Sequence, residues 1–180
     1  TSLAPLIREC LALLEPSLPA GVTAEFVDDP DSPPVMGDAL QLKQVLLNLG
    51  INAAYSMRDR PGRLTIRLSS ADLDASAQTL HRRLVPGRHA TVTVTDQGCG
   101  MTPETMARIF EPFFTTKPVG KGTGLGLSVV DGIIDTHGGG IVVKSTPGSG
   151  VLTSVALVAR MRSTALARSW MSIGQVTNWL

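Results

Sequence analysis

The sequence predicts an α+β fold: a two-layer sandwich with a mixed, mostly antiparallel sheet covered on one face by three helices. Three observations lead there. The elements run helix, strand, long helix, two strands, short helix, loop, helix, two strands, and a parallel α/β sheet would alternate strictly. Each long helix carries its apolar residues on one stripe and so has one face to bury. The chain has 180 residues, 43% of them hydrophobic, which suits one domain with one core.

Residues 3–15 form the first predicted helix, with Leu3, Leu6, Ile7, Leu11 and Leu14 at helical spacing. Ser2 stands where a cap would sit, and Pro16 and Pro19 end the helix. VTAEFVD (22–28) alternates as a strand, and DDPDSPP (28–34) is a turn-rich connection. Residues 38–57 make the long helix: Asp38 is its N-cap, and Leu42, Val45, Leu46, Leu49 and Ala53 make its stripe. LTIRLS (64–69) and HATVTVTD (89–96) are β-branched strands. The stretch from Ser70 to Gly87 reads as a polar insertion, partly helical around 74–83. TPETMARIF (102–110) is a short helix, capped by Thr102 and with Pro103 in its first turn. LGLSVVDGIIDTH (125–137) is the last helix, ended by Gly138. IVVKST (141–146) and VLTSVALVA (151–159) make a hairpin across Pro147–Gly150. Residues 1–159 read as the domain. Residues 160–180 hold three arginines, two tryptophans and no acid, and read as a linker, a docking helix or an appended segment.

Composition excludes several functions. A net charge of +1 is too balanced for a general nucleic-acid binder, and seven aromatic residues offer little base stacking. No apolar run approaches the ~20 residues that span a bilayer, so the chain is expected to make no membrane contact. Cys10 and Cys99 make no disulfide framework and suggest a reducing compartment. The chain opens at Thr1 without a signal peptide, which reads as a fragment of a longer protein.

Glycine is concentrated: 12 of the 18 lie between Gly98 and Gly150. This is where chemistry is expected. Asn48 and Asn52 lie four apart on one face of the long helix. Amides beside an apolar stripe need partners; they either bond a neighbouring loop or offer oxygen to a hard cation such as Mg²⁺. In VTVTDQGCGM (92–101) a strand delivers Asp96 to a turn at Gly98 and Gly100. That carboxylate either accepts a ligand amine or closes an Asx-turn. In FEPFFTTKPVGKGTGLGLS (110–128), Lys117 and Gly120, Gly122, Gly124 and Gly126 run straight into a helix start, whose free N–H groups make an anion site. The spacing matches neither a P-loop nor a dinucleotide fingerprint. His137 reads as a terminal-turn residue, Cys99 as a small filler, and Tyr55 as a packing residue.

Taken in order, these segments resemble the catalytic and ATP-binding domain of sensor histidine kinases. That domain has the Bergerat ATP-binding fold, and its superfamily includes DNA gyrase, the mismatch-repair MutL protein and an ATP-dependent chaperone. QVLLNLGINA is similar to the N box, DQGCGM to the first glycine box, FEPFFTTK to the F box and GTGLGLS to the second glycine box. The resemblance covers roughly residues 5–159. It implies that Asn52 ligates Mg²⁺, that Asp96 accepts the adenine amino group, and that Gly98, Gly100 and Met101 border the purine. It also implies that residues 111–124 are a mobile lid hinged at Gly120, Gly122 and Gly124. Lys117, Gly122, Thr123, Gly124, Leu125, Gly126 and Leu127 would hold the phosphates. Asn48 stands where the gyrase and chaperone branches carry a glutamate base; an amide cannot take a proton at neutral pH. Asn48, Asn52 and Lys117 are therefore the expected catalytic set for phosphoryl transfer.

Two positions depart from the family pattern. Tyr55 replaces a basic residue common three positions after the metal-binding Asn, and the nearest base is Arg58. No acceptor histidine with a following acid is present; His81, His89 and His137 match no such motif. The implied function is a protein histidine kinase of two-component signal transduction, contributing its catalytic domain alone. This domain would bind Mg-ATP and donate the γ-phosphoryl group to a histidine on a separate dimerisation and phosphotransfer helical domain. The group would pass from there to a response regulator receiver domain. The implied location is cytoplasmic, with a full-length protein that can be membrane-anchored. The alternatives are an ATPase of the gyrase or chaperone type, and a non-catalytic ATP-sensing module.

Overall fold

The computed structural model describes residues 1–73, 86–118 and 120–159. Helix α1 (Leu3–Leu14) leads through a 3₁₀ turn (Glu15–Ser17) to strand β1 (Val22–Val27). Helix α2 (Ala39–Ser56) follows, then strands β2 (Gly62–Leu73) and β3 (Gly87–Thr95). After them come a single turn α3 (Pro103–Met106), helix α4 (Gly126–Thr136), and strands β4 (Gly140–Ser145) and β5 (Val151–Val158).

The five strands form one sheet in the order β1-β2-β3-β5-β4. Only β1 and β2 run parallel; every other neighbouring pair is antiparallel. The parallel pair is possible because α2 supplies the crossover, while β4 and β5 join through the short turn 146–150. Alternation sets the faces. Leu64, Ile66 and Leu68 of β2 and Ala90, Val92 and Val94 of β3 are buried, and Thr65, Arg67, Thr91 and Thr93 between them are not. The buried face meets α1 through Ile7 and Cys10, α2 through Leu42, Val45, Leu46 and Leu49, and α4 through Val130 and Ile134. This is the expected sandwich with its three-helix cover.

Boundaries follow local chemistry. The Asp38 carboxylate accepts from the Leu40 and Gln41 amides at 2.8 and 3.0 Å and starts α2 as expected. Ser2 precedes α1 with extended backbone, but its side chain makes no cap bond; the cap rests on position alone. The β2–β3 ladder is longer than expected. Ser70–Leu73 pair with Gly87–Ala90, so part of the supposed insertion is strand. The helical reading at 74–83, His81 and the tail at 160–180 lie outside the described residues.

The helix expected over 102–110 ends at Met106. The following bonds tighten to three-residue spacing, Arg108 N–H to Thr105 and Glu111 N–H to Arg108, each at 2.9 Å. Pro112 also disfavours helical backbone at the residue before it. His137 caps α4 as expected. Its Nδ1 lies 2.7 Å from the Ile133 carbonyl, and its Nε2 accepts the Asp38 amide at 3.0 Å, tying the end of α4 to the start of α2.

Candidate active site

The polar face of α2, the sheet beneath it and the loop before α4 enclose one cleft of about 480 Å³. That volume falls within the range of small-molecule sites. Val94 of β3, Val143 of β4 and Val151 and Thr153 of β5 contribute to its floor. Of the expected residues, Asn48, Asn52, Asp96, Gly100, Met101, Lys117, Gly122, Thr123, Gly124, Gly126 and Leu127 all line it. Gly98 and Leu125 do not; Gly98 packs behind Asp96, and Leu125 is the N-cap of α4.

The cleft has an order that α2 imposes. Asn48, Asn52 and Ser56 lie four residues apart, so they climb one face in steps of roughly 6 Å, about 12 Å in all. At one end the Ser56 Oγ donates to Asp96 Oδ1 at 2.8 Å. The Gly98 amide donates to the same oxygen at 2.9 Å. In the middle the Asn52 Oδ1 accepts Lys117 Nζ at 3.1 Å. At the far end Asn48 reaches the start of α4: a Cβ on Gly126 would lie 3.8 Å from its Oδ1 and 3.7 Å from Asn52 Nδ2.

Asp96 is 5% exposed. Burial pushes its carboxyl above the ordinary aspartate range, against the Ser56 and Gly98 hydrogen bonds and the Val151 amide, which pull it down. Its loop is held by close backbone approach. A Cβ on Gly98 would lie 2.1 Å from Ser56 Oγ, and one on Gly150 would lie 2.0 Å from the Asp96 carbonyl. Gly150, read from sequence as plain turn chemistry, is therefore support for the acid. Arg60 closes the arrangement from the end of α2, donating to the Gly98 carbonyl at 3.1 Å.

Lys117 is half-buried, and burial, then the nearby Arg58 charge, holds its ammonium below the usual lysine range. It stands 4.4 Å from the centre of the Tyr55 ring, and Arg58 stands 4.2 Å from the same centre. Tyr55 is thus a wall of the cleft and not the packing residue expected. Cys99 lies at the cleft, as its place between Gly98 and Gly100 in the expected site implies, but it is exposed and not a filler, whereas Cys10 is the buried filler. Sequence reasoning missed Ser56 and Arg60. Ser56 was within reach, because it continues the spacing that marks Asn48 and Asn52. Arg60 was not, because its partner lies 38 residues away.

Among the described residues no group of three His, Cys, Asp or Glu could hold a metal ion. Among them, no helix is long and apolar enough to cross a membrane.

The family model of histidine kinase-, DNA gyrase B- and HSP90-like ATPases matches residues 37–160. Sensor kinase CckA of Brucella abortus is 41% identical over 69% of this chain, which covers 13% of that protein. The signal transduction histidine-protein kinase AtoS of Escherichia coli is 37% identical over 87% of this chain and 23% of its own length. The chain therefore spans a quarter or less of these relatives. Among solved structures, the catalytic domain of histidine kinase ThkA is 32% identical with a TM-score of 0.68, covering 88% of this chain and 93% of that one. A mycobacterial sensor histidine kinase, MprB, gives 27% and 0.68, covering 90% and 97%. With the boxes gathered in one cleft and the family model spanning most of the chain, this chain belongs to the histidine kinase-, DNA gyrase B- and HSP90-like ATPase family, in the company of sensor histidine kinases.

Proposed function

We propose that this domain binds Mg-ATP and donates the γ-phosphoryl group to a histidine on a separate helical dimerisation domain. A response regulator receiver domain would take the group next. One observation carries the reading: the cleft runs from a buried carboxylate, past an amide oxygen that already accepts a cation, to a glycine-rich helix start. These are three chemistries in the order of a base, a metal-bound phosphate chain and its terminal anion.

Each residue has a role in this reading. Asp96 accepts the adenine amino group; guanine would present a carbonyl there, leaving two acceptors face to face. Gly98 and Gly100 shape the purine end, with Met101 at its edge. The N–H groups of Gly124, Gly126 and Leu127, with Gly122 and Thr123 before them, receive phosphate oxygens at the positive end of α4. Lys117 adds a cation to the same oxygens. Asn52 fits a divalent ion because its Oδ1 is turned into the cleft and holds an ammonium there. Mg²⁺ so bound would neutralise charge on the phosphates during transfer. Asn48 offers an amide where hydrolysis needs a base, so positioning for an incoming nucleophile is favoured over attack by water.

The test is transfer from γ-labelled ATP to a histidine-bearing helical hairpin supplied in trans. The chain should label the hairpin and not itself, and Asn52→Ala should abolish Mg-dependent labelling. Steady phosphate release without hairpin labelling would instead identify an ATPase. Tight ATP binding with neither product would identify a sensor.

A further inference from the structure

We propose that Tyr55 is a positioning residue for the anionic half of the ligand, its ring gathering Lys117 and Arg58 at the cleft to receive phosphate oxygens. The proposal rests on the nucleotide reading above.

The two cations come from different elements. Arg58 follows the end of α2, and Lys117 belongs to the loop before α4. Both reach the same aromatic face system, at 4.2 and 4.4 Å from the ring centre, and all three side chains line the cleft. Two like charges so close repel each other. The electron-rich ring offsets part of that repulsion, since cations are drawn to the π-face within about 6 Å of its centre. Arg58 has further anchors: Nη1 donates to the Tyr55 carbonyl at 3.3 Å, and Nε pairs with Asp59 at 3.1 Å. Lys117 donates to Asn52 at 3.1 Å. Both residues line the cleft. A polyanion there would join the two cations, which share no acidic partner in the ion pairs seen among the described residues. Because the loop reaches α2 through Lys117, the ring also docks the loop on the helix.

The ring should therefore matter to phosphate and not to base. Calorimetry on the 180-residue chain would compare adenosine and ATP with Mg²⁺ for the parent, Tyr55→Phe and Tyr55→Leu. Tyr55→Leu should weaken ATP by roughly tenfold and leave adenosine affinity as it was. Tyr55→Phe keeps the ring and should restore ATP affinity to near the parent value. Equal ATP affinity for Tyr55→Leu overturns the proposal. So does a matching loss for adenosine, which marks a merely structural residue, or a Tyr55→Phe defect as large as that of Tyr55→Leu. Failure of the parent itself to bind ATP would be a separate result, removing the nucleotide reading and this proposal with it.

Discussion

The Asp96 carboxylate gathers donors on one oxygen. Oδ1 takes both the Ser56 hydroxyl and the Gly98 amide. Ser56 Oγ lies 2.7 Å from the Ala53 carbonyl as well, so one hydroxyl proton is shared between two acceptors. The two cysteines make a check on the cleft at the same scale. Cys10 is fully buried and burial pushes its thiol up, so its thiolate is scarce; Cys99 is exposed at the cleft. A disulfide reagent should titrate one thiol rapidly and the other only on unfolding. Saturating ATP should slow the fast reaction several-fold. Unchanged labelling with ATP bound would remove Cys99 from the ligand-covered surface. The exposure of Cys99 was not legible in sequence, although its place between Gly98 and Gly100 set it in the expected site. What separates them is tertiary: α1 packs Cys10 under the sheet, while the turn after β3 delivers Cys99 to a wall. Asn48, Asn52 and Asp96 were legible because a polar residue on an apolar stripe, or an acid at a strand end beside glycines, conflicts with its local surroundings. Tyr55 was not, since an aromatic on a helix satisfies every local rule.

At the scale of elements, the loop before α4 is closed by its own backbone. The Phe113 amide donates to the Gly124 carbonyl at 2.9 Å, and both residues have left-handed backbone, φ 67° and 68°. A Cβ on Gly124 would lie 2.3 Å from the Phe113 carbonyl carbon. Gly120 shares the positive φ, at 81°, but faces open space. Gly124→Ala must therefore break the closure, whereas Gly120→Ala meets only the backbone cost of about 1–2 kcal/mol. Trypsin should cut after Lys121 markedly faster in Gly124→Ala, and ATP affinity should fall at least tenfold. Equal behaviour of the two variants would show that the Phe113–Gly124 pair does not hold the loop. The α2–α4 junction makes a second test. His137→Ala removes the Nε2 acceptor of the Asp38 amide and the Nδ1 bond to Ile133. Urea unfolding should show a loss of about 1 kcal/mol, with ATP affinity little changed. A loss below a few tenths would mean water replaces both bonds. Most elements were legible because apolar period and cap chemistry agree, as at Asp38 for α2. The errors fell where strand pairing decided the outcome: Ser70–Leu73 look polar, yet β3 supplies their backbone partners.

For the whole molecule, the site and the fold make opposing demands on one buried charge. The core helices and sheet bring Asp96 to 5% exposure, and desolvation raises its pKa above the unfolded value of 3.8. A carboxyl whose folded pKa is raised binds its proton more tightly in the native state. Its ionised form thus destabilises the ligand-free chain at neutral pH. The penalty lifts as pH falls through the raised pKa and is gone below 3.8. Asp96→Asn keeps an oxygen to accept from Ser56 and Gly98 but carries no charge. It should melt above the parent at neutral pH, with the gap narrowing on acidification. With adenine bound the order should reverse. The parent gains about 2.7 kcal/mol at a hundredfold excess of ligand over Kd. The variant should lose roughly 1.5–3 kcal/mol of binding with its charge-assisted bond. Parent adenosine affinity should also fall with pH as Asp96 takes up its proton and ceases to be a charged acceptor, at a higher pH than for an exposed aspartate. Melting curves with and without adenosine, at neutral pH and at stepwise lower values, measure all of this. A less stable variant with an undiminished adenosine shift would make Asp96 a loop-closing residue. A more stable variant with a diminished shift would mean that the domain holds its adenine acceptor at the expense of its own resting stability.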